Sequence, residues 1–459
     1  MSTADGEPRA VPLGDTEDRT EAIEADLERG LDPALDPGLD PEAEYEAFVW
    51  KNLKRNYIGN YLHGMLGMTG FRLVNAPTFL PAYLNLLTGS PFMAGLGLAL
   101  QQLGGVVSPV VGANFIEHRK RVMPTAMWLG AGMRVPILLM AVAGWMLKGQ
   151  PLVIALLVLL FLFGLFGGAQ RVVFQLLMAK VIPIQRRGRL QAWRNMTGGA
   201  IAAVLAYAAG RYLIKGNVFG NGYATTFLLA FVLTSLGITA LRLMLVEPEP
   251  PTQRGRTSLR DRLKDFPALV AHDANFRNFL IAQLLAMAAR VAAPSYAVYA
   301  LLAGHLPPSA LGVLSLSYLG ADTVSNIVWG YMGDKAGFRL TFITSLALWI
   351  AATFLLIESH SLPMILIAFA GLGAGNAGYQ MSTTTMVLEF GHRDDVAMRL
   401  AISSTAEGVM STIAPFAGGA IATLFGYPPV FWISIAVQLG ALALLVGAVR
   451  EPRRGAQVA

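Results

Sequence analysis

The chain has 459 residues, of which 54% are hydrophobic and 14% charged, with a mean hydropathy of +0.52 and a formal net charge of +6. Soluble globular chains carry roughly a quarter charged residues, so this composition excludes a soluble protein. The lack of cysteine excludes disulfides, thiolate metal sites and cysteine nucleophiles; the positive charge sits mostly in short connections, without a basic face interleaved with aromatics, which excludes a nucleic-acid partner.

Residues 1–43 are acidic and rich in Pro and Gly, with Leu-Asp-Pro repeated at Leu31, Leu35 and Leu39. They lack a basic n-region and an early apolar core, so they do not read as a signal peptide. Too little apolar surface is present to offset ordering entropy, and a disordered cytoplasmic tail is expected. Residues 44–56 follow as a short amphipathic helix. Trp50 among Lys51, Lys54 and Arg55 suits an interfacial anchor.

Twelve apolar spans are then predicted, each long enough for a hydrocarbon core of about 30 Å. Six lie in residues 44–246: 58–87, 91–116, 122–146, 151–180, 195–215 and 222–246. Six more lie in residues 276–450: 277–303, 308–332, 339–358, 362–389, 399–424 and 428–449. Between them, residues 247–275 form a basic linker, in which 258–270 can lie as a helix on the membrane surface; residues 451–459 form a basic tail. Lys and Arg concentrate in one set of connections, at 51–55, 119–121, 186–194, 254–264, 335–339, 393–399 and 450–454. The positive-inside rule puts those connections, and both termini, in the cytoplasm.

The two halves repeat each other. Arg72 recurs as Arg290, Gly112 as Gly330 and Arg121 as Arg339, each 218 positions on; Gln170 recurs as Gln380, Arg189 as Arg399 and Gly198 as Gly408, each 210 positions on. Internal repetition of this kind builds a site at the interface of the repeats. Arg72 and Arg290 fall in the middle of the first and seventh spans. A mid-membrane arginine costs about +2.5 to +3.5 kcal/mol on insertion scales and cannot shed its charge. Arg72 shares its helix face with Thr69, Asn75 and Ala76, and Arg290 with Gln283, Met287 and Pro294, semi-polar stripes that suit cavity walls. Four readings of such an arginine stay open: binding a solute anion, pairing with a structural carboxylate, capping a broken helix, or a span whose boundary lies elsewhere. The carboxylates within spans are Asp322, Glu407 and Glu389. Asp322 and Glu407 are also candidate proton sites. Arg134 and Arg171 read as structural.

Gly330, Asp334, Lys335, Gly337 and Arg339 match the pattern G-x-x-x-D-[RK]-x-G-x-[RK], and Gly112 to Arg121 (GANFIEHRKR) is a degraded first-half copy. With twelve spans in two halves of six, these residues resemble the major facilitator superfamily. The stretch Ala414-Pro415-Phe416-Ala417-Gly418-Gly419 resembles the G-P-x-x-G-G pattern of its antiporters, carried here in span eleven where the family has it in span five. The resemblance implies an all-α membrane protein of two pseudo-symmetric six-helix bundles rocking about a central site walled by spans one, four, seven and ten. It implies that Arg72 and Arg290 clamp an anion, that Gln170 and Gln380 hydrogen-bond the rest of the solute, and that the G-x-x-x-D motif gates the cytoplasmic side. The expected partners are a small solute, the bilayer, and a proton or counter-anion, with the protein a monomer.

The six histidines show no metal-ligand spacing, and no strand–glycine loop–helix unit for phosphates occurs, so neither an enzyme nor a metal or cofactor site is predicted. Three function classes remain: a carrier of an anionic or zwitterionic solute in a cytoplasmic membrane, an efflux pump for amphiphilic compounds with structural arginines, and a non-transporting sensor or assembly factor that keeps the fold. Deleting residues 1–43 separates the first two from the third. Solute flux in proteoliposomes is expected to survive the deletion, whereas a sensor would depend on the acidic tail.

Overall fold

The computed structural model describes residues 41–116, 121–248, 273–390 and 396–451. Most of the acidic tail, the basic part of the linker with the surface helix expected over 258–270, Arg119, Lys120, Arg393 and the residues after Glu451 lie outside the described residues. The described chain is helical: α1 (Pro41–Lys51), α2 (Leu53–Asn75), α3 (Phe79–Thr88), α4 (Pro91–Ile116), α5 (Met123–Met146), α6 (Gly149–Val181), α7 (Ile184–Ala208), α8 (Gly222–Met244), α9 (Ala274–Ala288), α10 (Tyr296–Ala303), α11 (Leu311–Ala336), α12 (Phe338–Glu358), α13 (Leu362–Glu389), α14 (Val396–Phe425) and α15 (Tyr427–Gly447). Ten helical stretches among the described residues are long and apolar enough to cross a membrane. The α2–α3 pair and α4 supply the other two expected crossings. Hydropathy is diluted in α2 because its buried face is polar: Asn56, Asn60, His63 and Thr69 all point inward.

Three departures from the expected elements have physical reasons. The fifth span starts at Ile184 rather than Asn195, since arginine is a good helix former and a drop in hydropathy does not end a helix. The first and seventh spans are broken. After α2 the backbone leaves the helix at Ala76, whose N–H donates to the Arg72 carbonyl, and Pro77 follows without an N–H; the seventh span tightens into a 3-10 stretch, Ala289–Ser295, around Pro294. Trp50 is buried and Tyr45 donates to the Lys180 carbonyl at 3.1 Å, so α1 folds back onto the protein instead of presenting its indole outward.

Glycines set the closest helix crossings, and in a duplicated way. A Cβ on Gly164 would lie 1.8 Å from the Gln101 carbonyl oxygen, and one on Gly373 would lie 2.1 Å from that of Tyr318. Span four thus meets span two as span ten meets span eight. The halves touch each other through α4 against α14 and α7 against α11. On the side away from the termini, a Cβ on Gly95 would lie 2.4 Å from the Pro415 carbonyl oxygen, the Phe92 N–H donates to Thr423 Oγ1 at 3.0 Å, and Ser315 Oγ donates to Thr78 Oγ1 at 2.7 Å.

On the terminal side each half is tied by an asparagine. Asn56 at the start of α2 exchanges two hydrogen bonds with the backbone of Val246, at 3.0 and 2.8 Å; Asn275 at the start of α9 does the same with Arg450, at 3.1 and 2.7 Å. The residue after each backbone partner is a glutamate. Glu247 accepts from the N–H groups of Val122 and Met123 at 2.7 and 2.8 Å, and Glu451 accepts from that of Arg339 at 3.1 Å. These carboxylates satisfy orphan donors at the starts of α5 and α12. Asn56 is fully buried, whereas the Asn275 bonds are exposed. Asn56→Ala is therefore expected to cost about 2 kcal/mol and Asn275→Ala clearly less, read as the melting temperature of purified protein.

Candidate functional site

A cavity of about 870 Å³ lies between the halves, walled by spans one to five and seven to eleven. Both helix breaks open into it. Arg72 sits in the last turn of α2, where a cation is favoured by the helix dipole, and Arg290 sits in the 3-10 stretch of the seventh span. Arg72 Nη1 pairs with Asp322 Oδ2 at 2.9 Å and donates to Thr323 Oγ1 at 3.1 Å. Asp322 Oδ1 accepts from Asn376 Nδ2 at 3.1 Å, and the Asn376 amide oxygen accepts from the Arg290 guanidinium. The two arginines are thus the ends of one relay, Arg72–Asp322–Asn376–Arg290, which crosses from one half to the other. Arg290 also lies over the Trp349 and Tyr379 rings at 5.9 and 5.8 Å.

The other expected site residues divide into two groups. Asn75 and Gln170 line the cavity, with Asn75 accepting from Gln101. Gln283 and Gln380 are not among its lining residues. Gln283 is fully buried behind the wall, where its Nε2 donates to Glu407 Oε2 at 3.4 Å and its Oε1 accepts from Ser403 at 2.8 Å. Glu407 stays in that same layer and also accepts from Tyr379 at 3.5 Å. Gln380 is exposed one turn beyond Asn376. Arg134, expected to be structural, has its Nε bonded to the Thr234 carbonyl at 2.8 Å and lies over Phe71. Arg171, also expected to be structural, lines the cavity instead, as does Arg194. Among the described residues the lining therefore holds four arginines, at 72, 171, 194 and 290, and a single carboxylate, Asp322.

Asn376, Thr323 and Arg194 are members of this site that the sequence pattern does not mark. Asn376 sits among glycines and alanines with no counterpart in the first half, and Thr323 is one threonine among many. Arg194 reads as a loop charge when the fifth span is expected to begin after it.

The motif residues hold the terminal side of the second half. Gly337 adopts φ +92°, and a Cβ there would strike the Glu451 carboxylate. The Arg339 guanidinium donates to the carbonyls of Leu445 and Val446 at 3.0 and 2.9 Å, and Lys335 lies 4.5 Å over the Tyr331 ring. Asp334 is exposed and engaged in an interaction, while Gly330 faces open space. In the first-half copy, Gly112 lies on α4 and Arg121 is exposed just before α5.

The family model of the Major Facilitator Superfamily matches residues 62–302 and 279–459. The chain belongs to this superfamily. Similar solved structures include a mutant form of the nucleoside transporter NupG (11% identity, TM-score 0.69, covering 86% of this chain and 100% of that one). A D-xylose-proton symporter (11%, 0.69, 88% and 99%) and a bacterial homologue of the iron transporter ferroportin in an inward-facing state (15%, 0.64, 86% and 98%) are also similar. At these identities the likeness is one of fold. Comparison with curated protein sequences gives no match. As a member of the superfamily the chain is an all-α, multi-pass membrane protein with a transporter fold.

The relay across this superfamily scaffold makes a thermodynamic prediction. Asp322→Asn and Arg72→Gln are each expected to lower the melting temperature, while the double variant loses less than their sum. The coupling energy from the double-mutant cycle is expected to be about 0.5–3 kcal/mol, and purely additive losses would show that the two side chains do not interact.

Proposed function

We propose that this protein is a secondary-active carrier that moves a small anionic or zwitterionic solute by alternating access. The observation that carries this reading is the charge of the cavity lining, four arginines against one carboxylate. Guanidinium groups keep their charge under all physiological conditions, and their planar donors match carboxylate and phosphate oxygens. A net-cationic cavity in a low-dielectric surround attracts anions and repels cations. Asn75, Gln101 and Gln170 add neutral hydrogen-bonding groups for the remainder of a small solute.

Asp322 gives this site a means of coupling. A solute anion that takes Arg72 displaces Asp322 from it, and a proton on Asp322 releases Arg72 by the same route. Either event breaks the 2.9 Å ion pair that joins the halves. A proton or a counter-anion is thus the coupled species. Glu407 is the second candidate, set behind Tyr379 and Gln283. Both termini lie in the cytoplasm in this reading, on the basis of the Lys and Arg distribution.

A thermal-shift screen of purified protein against anionic metabolites tests the proposal. A ligand at 100 times its Kd stabilises the folded state by about 2.7 kcal/mol. Such a shift is expected for the wild type and is expected to fall sharply in Arg72→Ala and Arg290→Ala. Equal responses from wild type and both variants would rule out the arginine site.

A further inference from the structure

The cavity continues from Arg72 toward the side where the termini leave, and a guanidinium outside the relay stands there. Arg194 of α7 lies in a notch at Gly64 of α2, where an ideal Cβ would come within 1.5 Å of Arg194 Nε. Arg72 does the reciprocal on α7: a Cβ on Gly199 would come within 2.9 Å of Arg72 Nη1. The two helices exchange arginines, each laid across the other's glycine.

The two arginines differ in how their charge is met. Arg72 has Asp322. Arg194 Nη1 has only neutral neighbours, Gln191 Oε1 at 3.4 Å and Met178 Sδ at 3.7 Å, and its Nε is buried without an acceptor. Among the described residues no carboxylate comes within ion-pair distance of it. Three further cavity-lining side chains each leave one buried polar atom without a partner: His63 Nδ1, Gln101 Oε1 and Gln170 Oε1. His63, adjacent to the notch, is 5% exposed and stacked 4.7 Å from the Phe174 ring, with Nδ1 unbonded; Gln170 is 7% exposed with Oε1 unbonded. A cation removed from bulk water is normally paired, and unsatisfied buried polar groups are rare. Arg194 and these three unpartnered atoms all belong to the first-half side of one cavity.

We propose that Arg194 is a second anion subsite of this cavity and that the solute is an elongated acid with an anionic group at each end. One end sits at Arg72 and Arg290, the other at Arg194. This rests on the anion reading of the central site and specifies its substrate class. The spacing follows from helix geometry. Gly64 and Arg72 are roughly 12 Å apart along α2, and Arg194 and Gly199 roughly 8 Å apart along α7, at a rise of 1.5 Å per residue. The two acidic groups therefore stand roughly 8–12 Å apart, by the same helical rise. Gln191 and Gln170 supply the neutral contacts at the Arg194 end.

Calorimetric titration of purified protein with α,ω-dicarboxylates from malonate to sebacate, each beside the monocarboxylate of the same length, tests this. Wild type is expected to bind an intermediate-length dicarboxylate roughly tenfold or more tighter than its monocarboxylate. Arg194→Gln is expected to abolish that surplus and leave monocarboxylate binding in place. Gly64→Ala, which fills the notch and displaces Arg194 while keeping its charge, is expected to do the same; melting temperature without ligand reports whether each variant is folded. Dicarboxylate binding by folded Arg194→Gln equal to wild type overturns the subsite, as does an equal loss for mono- and dicarboxylates. Wild-type binding of monocarboxylates without any length preference overturns the elongated acid alone. No binding of any carboxylate by wild type overturns the central anion reading and this one with it.

Discussion

Two guanidinium groups held at the middle of a membrane protein must be satisfied where they stand, because they cannot be neutralised by losing a proton. Here one carboxylate and one amide do this for both. Asp322 takes Arg72 with one oxygen and Asn376 with the other, and Asn376 passes the contact on to Arg290. The arrangement ties the state of the cavity to the contact between the halves. Whatever competes for Arg72, or neutralises Asp322, changes an interaction that spans the two bundles.

The repeat is symmetric in its arginines and asymmetric in its acid. The position 218 residues before Asp322 is Gly104, whose notional Cβ would lie 2.4 Å from the Phe161 carbonyl oxygen, so a close helix crossing stands where the second carboxylate would be. Arg290 consequently receives an amide and two aromatic faces instead of an ion pair. This broken symmetry leaves the cavity cationic. A full second ion pair would have left the central site neutral.

The scaffold around the site is symmetric in its supports. Asn56 and Asn275 clamp the first helix of each half to the chain leaving the last, and Glu247 and Glu451 then cap the third helix of each half. Each half is in this way closed upon itself at the terminal side. Among the described residues, contacts between halves are made on the opposite side, through Gly95 with Pro415 and Ser315 with Thr78, and at mid-depth through Arg72 with Asp322. Two self-contained bodies joined at one end and at the centre are suited to moving against each other about the site between them.

The spans, the internal repeat and the mid-span position of Arg72 and Arg290 were legible in the sequence, because hydropathy and charge are local and a duplication preserves register. The superfamily was legible in Gly330, Asp334, Lys335, Gly337 and Arg339, since a turn that demands φ > 0 at Gly337 leaves a fixed pattern behind. What the sequence could not decide was which of several carboxylates meets Arg72. Asp322 is 250 residues away in the other half, and Asn376 is 86 residues from Arg290; such pairings depend on how helices are brought face to face, and no periodicity encodes them. The same reason moved Gln283 behind the wall and brought Arg194 into the cavity. A residue's type is written in the chain, but the surface its side chain meets is set only when the two bundles close around a shared space.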